Sequence, residues 1–125
     1  MIFKLKTSKK TMEIFEQVGQ STNLQPFSLS KIAIALSVAS DKPLDETDFK
    51  TNNEGLELNR QTITGDHDTL FKSLIIADLK EPITDEEYFP RYLKAHLDRG
   101  AVMLESEFKY SRNFLDHLCK LDESI

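Results

Sequence analysis

Asp66, His67 and Asp68 stand in a row, and carboxylates with an imidazole are the usual ligands of zinc, manganese or iron. Adjacent residues at a helix start point in different directions, however. The helical His pairing that converges on a metal, as in HExxH, is absent from this chain. A capping aspartate with a second acid in the first turn, where the helix dipole favours negative charge, explains the same residues without a metal. His117 and Cys119 read as an exposed histidine and a partly buried helical cysteine. No GxSxG, Walker loop or GxGxxG occurs, so a nucleophile, a cofactor loop and a convergent acid pair are all lacking. The expectation is a protein that is not an enzyme, with no catalytic residue, metal or cofactor. Asn59 and Arg60 read as a polar joint in which an amide and a guanidinium satisfy loose carbonyls or reach a carboxylate such as Asp66. Arg60 could instead meet phosphate; the joint is preferred because an arginine fork beside two aspartates has partners at hand.

The elements that would position these residues are mostly helical. Phe3 to Lys6 alternates apolar and basic, as a strand with Phe3 and Leu5 on one side and Lys4 and Lys6 on the other. A lone strand must pair, either with a later segment or with the same strand of another subunit. Ser8 can cap a helix carrying Met12, Phe15 and Val18 and ending near Gly19. Pro26 opens a second helix, so apolar from Phe27 to Ala39 that it belongs in the core. Asp41 to Glu54 reads as an acidic exposed loop. Asp66 or Thr64 can cap a third helix with Leu70, Phe71, Leu74, Ile75 and Leu79 on one face. Thr84 to Glu87 forms a capping-box pattern, and Pro90 kinks or restarts the helix that follows. Leu93, Leu97, Gly100, Leu104, Phe108, Ser111, Leu115 and Leu118 then recur as a near-heptad seam, which packs within the chain or against another subunit.

A chain of 125 residues with 39% apolar and 30% charged residues fits one globular domain, and a single cysteine excludes an intrachain disulfide. No targeting segment or membrane span is visible, so the cytoplasm is the expected compartment. The net charge of -5 is unevenly distributed: residues 1–39 carry +3, residues 40–90 carry -8, and residues 91–125 balance. A short basic strand, a helix, a polar turn and a second helix resemble the ribbon-helix-helix arrangement, with Lys4 and Lys6 on an exposed face and Lys9, Lys10 and Lys31 able to reach flanking phosphates.

Three motifs, in order, carry a resemblance to the DndE family of DNA sulfur-modification proteins: TNLQPFSLSKIAIALSVA, GLELNRQTITGDHDTLF and LKAHLDRGAVMLESEF, the last built around His96, Leu97, Arg99 and Gly100. The resemblance spans nearly the whole chain. The fold expected is mainly α: one small helical domain, residues 1–125, with a short N-terminal β-strand, a ribbon-helix-helix-like N-terminal half and a long C-terminal helix. Within it lie a basic strand-helix-helix part (1–40), an acidic loop and junction (41–65) and a helical part bearing an oligomerisation seam (66–125). The resemblance implies a homotetramer that binds double-stranded DNA, nicked duplex preferred, through surface lysines, beside the other sulfur-modification subunits. Carried over, Lys4, Lys6, Lys9, Lys10 and Lys31 are the candidates for DNA contact, and Arg60 and Arg99 are secondary ones. One departure is Gly19-Gln20-Ser21-Thr22, uncharged where the family's turn is often basic. The alternatives are a ribbon-helix-helix transcriptional regulator and a metal-dependent nicking nuclease using Asp66 and Asp68.

Overall fold

The computed structural model describes the backbone of residues 3–40 and 42–124, and the side chains of these other than Asp78 and residues 111–124. Strand β1 (Lys4–Lys6) turns Leu5 inward and leaves both lysines in solvent. Its partner is β2 (Glu57–Asn59) of the same chain, antiparallel, with Lys4 opposite Asn59, Leu5 opposite Leu58 and Lys6 opposite Glu57. Backbone bonds extend the ladder from Thr7 N–H to Leu56 and from Gly55 N–H to Thr7. Gly55 is obligatory there, because any Cβ would collide with Thr7 and Ser8. Of the two pairings open to the strand, the later segment is the one found. Phe3 does not follow Leu5 into the core; it is 61% exposed.

Helix α1 (Lys9–Thr22) starts where expected, with the Ser8 side chain accepting from Thr11 N–H. It buries Ile14, Phe15 and Val18, and runs past Gly19 to a left-handed Asn23 whose N–H returns to the Gly19 carbonyl. Helix α2 (Pro26–Ala39) begins at its proline and crosses α6 (Lys94–Ser124) in the main packing contact of the fold. Gly100 makes that crossing close: its Cα faces the backbone of Ala33, and a Cβ would overlap the Ala33 carbonyl. Leu29, Ala33, Ile34, Leu93, Leu97 and Ala101 form the centre of the core. The seam thus packs within the chain at Leu93, Leu97, Gly100 and Leu104; its continuation at Ser111, Leu115 and Leu118, like His117 and Cys119, lies outside the described side chains.

The acidic segment is less loose than its composition suggests. A 3-10 turn, Glu46–Phe49, is closed by a capping box between Asp45 and Asp48, and Phe49 meets the edge of Tyr92 with ring centroids 5.4 Å apart. A short helix that the sequence pattern does not signal, α3 (Arg60–Ile63), is capped by Asn59. It displaces the start of α4 (Asp68–Leu79), which is preceded by His67 with no side-chain cap, so neither Asp66 nor Thr64 caps it. Thr84 and Glu87 form the expected capping box on α5 (Asp85–Glu87). From there the chain passes through a π-helical stretch, Tyr88–Leu93, into α6. Pro90, lacking an N–H, sits inside that wider turn, as local unwinding around a proline requires.

Candidate nucleic-acid interface

Strand alternation places Lys4 and Lys6 on the outward side of β1, and the immediate turn into α1 puts Lys9 and Lys10 in the first helical turn, exposed as well. None of these four forms an ion pair among the described residues. Lys6 faces Glu57 across the ladder, which offsets part of its charge. Most of the free donors at the start of α1 are already engaged: Ser8 N–H donates to Asp98 (3.1 Å), Lys9 N–H to Asn52 (2.9 Å) and Thr11 N–H to Ser8. An anion at this end would therefore meet mainly lysine side chains. Lys31 belongs to a different element, α2, where its ammonium lies 5.7 Å from the Phe27 ring centroid.

Arg60 is the opposite of an open phosphate ligand. It is 7% exposed, and its fork donates to Asp68 through Nε (3.0 Å) and Nη2 (2.6 Å) and to Asp85 through Nη1 (3.0 Å) and Nη2 (2.9 Å). Its guanidinium carbon also lies 5.2 Å from the Tyr88 ring centroid and 5.1 Å from that of Phe89. The hydrogen bonds Arg60 donates to Asp85 and Asp68 raise its pKa well above the usual arginine value. Burial pushes Asp68 up, but bonds from Arg60, Thr64 (2.7 Å) and Tyr88 (3.0 Å) outweigh it and hold the carboxyl below the ordinary value. Burial, then the Asp68 charge, drives the Tyr88 phenol upward. The joint reading of Arg60 is the one the geometry supports, with a correction: its carboxylates are Asp68 and Asp85, while Asp66 is exposed. Pairing with Arg60 also takes Asp68 away from its neighbours in the Asp66-His67-Asp68 row. Among the described residues no three His, Cys, Asp or Glu side chains converge to hold a metal.

Arg99 is a second clamp. Its Nε donates to Ser37 Oγ (2.8 Å), Nη2 to the Ser37 carbonyl (2.8 Å), and Nη1 to the carbonyls of Lys42 (3.0 Å) and Pro43 (3.2 Å), binding the end of α2 and the following loop to α6. His96 Nδ1 lies 2.8 Å from the same Ser37 hydroxyl. Arginine only donates, so Ser37 accepts from Arg99 and keeps its own proton available for Nδ1, in the tautomer that carries the imidazole proton on Nε2. Burial, and secondarily the Arg99 charge, lowers the His96 pKa to about 4. The His-Leu-x-Arg-Gly segment is thus the α2–α6 joint: His96 and Arg99 grip Ser37, and Gly100 admits the backbone of Ala33.

A third hub went unread in the sequence. Asp98, 4% exposed, accepts from Ser8 N–H, Thr11 Oγ1 (2.7 Å), Thr51 Oγ1 (2.6 Å) and Lys94 Nζ (2.7 Å), tying the basic corner and the acidic loop to α6. Lys94 completes its donors with Thr51 Oγ1 and the Asn52 carbonyl. The i, i+4 spacing of Lys94 and Asp98 was the available signal, but it reads equally as a surface pair.

Residues 4–112 match the family described as DNA sulphur modification protein DndE. Two crystal structures share the fold at 16% identity. One is DndE from Escherichia coli B7A, described as involved in DNA phosphorothioation modification (TM-score 0.65, covering 81% of this chain and 96% of that one). The other is a glycine-to-lysine mutant of DndE described as involved in DNA phosphorothioation (TM-score 0.63, covering 83% and 98%). No curated protein matches the chain. The family match covers most of the chain, including the strand, both joints and the Asp98 hub, and the helical architecture agrees with it: this chain belongs to the DndE family.

Proposed function

We propose that this chain is the non-catalytic DNA-binding subunit of a DNA phosphorothioation system, working in the cytoplasm as a homotetramer on double-stranded DNA, nicked duplex preferred, beside the other modification subunits. The observation that carries the reading is the corner where β1 meets α1: Lys4, Lys6, Lys9 and Lys10 are all exposed and free of ion pairs among the described residues. On a chain of net charge -5, that local surplus attracts phosphate only if copies combine their corners, which a tetramer does. Lys31 extends the surface on α2. Arg60 and Arg99 are left out of it, because their guanidinium donors hold the chain's own carboxylates and carbonyls.

Gel shift on nicked and intact duplex tests this. Changing Lys4, Lys6, Lys9 and Lys10 to Glu together abolishes the shift while the sedimentation coefficient stays that of the parent. Single Lys→Ala changes each reduce the salt slope by about 0.9 for every phosphate left without its lysine. Undiminished binding by the fourfold variant overturns the assignment. Cleavage of DNA by the purified protein with magnesium, abolished by Asp66→Asn, overturns the non-catalytic part.

A further inference from the structure

Helix α4 buries Ile75 in the core with Phe71 and Leu79 packed beside it, and yet its outward side is apolar as well. Among its described side chains the charged ones, Asp68 and Lys72, face the chain's own body, Asp68 toward Arg60 and Lys72 toward Asp85 (3.9 Å) and the Tyr88 ring. The outward side carries Leu70 (56% exposed), Ser73, Leu74 (43% exposed) and Ala77, at the i, i+3, i+4, i+7 spacing of a packing stripe. No charged residue lies among the exposed, described positions of this helix. A monomer in water gains nothing from that arrangement.

We propose that the outward face of α4 pairs with the same face of a second copy, the two helices antiparallel about a two-fold axis. This rests on the self-association in the proposed function and names one of its contacts. The stripe is complementary to itself. An axis through the midpoint of Ser73 and Leu74 sets Leu70 of each copy against Ala77 of the other, and Leu74 of each against Ser73, so every large side chain meets a small one. The same axis brings Lys80, the basic residue at the helix end, level with the Asp66–His67 turn of the other copy, and the antiparallel dipoles attract. A 12-residue helix is about 18 Å long and covers less than the roughly 800 Å² per partner of a standard stable interface. The pair is therefore weak by itself and suits a dihedral tetramer, in which a second kind of contact joins two such pairs.

Two measurements test it. Sedimentation of Leu74→Glu, an exposed position outside the core, shows self-association at least about ten-fold weaker than the parent's, with unchanged circular dichroism. In a Cys119→Ser background, the double variant Leu70→Cys/Ala77→Cys is joined into dimers by a short bis-maleimide, while either single cysteine is not. A parent oligomer that persists unaltered in Leu74→Glu, or a double variant that does not cross-link, overturns this pairing and leaves the tetramer reading intact. A parent that sediments as a monomer at about 100 µM, a loading high enough to populate a weak contact, overturns both. DNA binding is read separately by gel shift.

Discussion

Gly100→Ala sets two effects of opposite sign against each other, and the structure decides which wins. Gly100 lies inside α6, where alanine is the better helix former by about 1 kcal/mol, so propensity alone predicts a more stable protein. Against this, the new Cβ would overlap the carbonyl oxygen and carbon of Ala33 and come within 3.0 Å of its Cα. These are backbone atoms in the middle of α2, and they cannot swing aside as the end of a side chain would; α2 must move as a body. Overpacking of this kind costs typically about 1–3 kcal/mol and occasionally more. Moving α2 also pulls Ser37 from His96 and Arg99, whose bonds to it are 2.8 Å long. The expected balance is a loss of about 1–3 kcal/mol, which for a chain of this length lowers Tm by about 4–12 °C. Thermal unfolding followed by circular dichroism measures it. Gly19→Ala is the control, because its Cβ would lie 3.1 Å from a single oxygen in a connector that can yield, and the change is near neutral. A Gly100→Ala protein that melts at or above the parent temperature refutes the close-crossing argument.

Two further outcomes follow from the buried polar groups. His96 is held neutral with a folded pKa of about 4 against about 6.5 when unfolded, so the unfolded chain takes up the proton first as pH falls. Stability is therefore full above about pH 6.5 and drops by up to roughly 3 kcal/mol on the way to pH 4; urea unfolding across that range shows the slope, His96→Gln removes it, and an identical slope in the variant refutes the assignment. Arg60→Lys keeps the charge but loses the fork that reaches Asp68 and Asp85 together, and should lower the unfolding free energy by about 2–3 kcal/mol with an unchanged denaturant slope. A change under about 0.5 kcal/mol contradicts the clamp.

The sequence determined the elements whose signals are local. Ser8 as a cap, Pro26 as a helix start and the Thr84–Glu87 capping box each depend on residues within one turn, and each stands where the pattern places it. Local signals also identified the alternation of β1 and the family motifs. What only the tertiary structure decided involves partners distant in the chain. The strand's neighbour is some fifty residues downstream; the partners of Arg60 include Asp85, 25 residues away; and Asp98 gathers donors from Ser8, Thr11 and Thr51. The same distance hid Asp85 as a partner of Arg60 and the carbonyls that engage half-buried Arg99, since an arginine read alone looks like a surface cation until groups from other elements close around it. Side-chain type and spacing specify a helix, but they do not specify which face another element covers. That is why α4 read as an ordinary amphipathic helix and folds with its Leu70 and Leu74 in solvent.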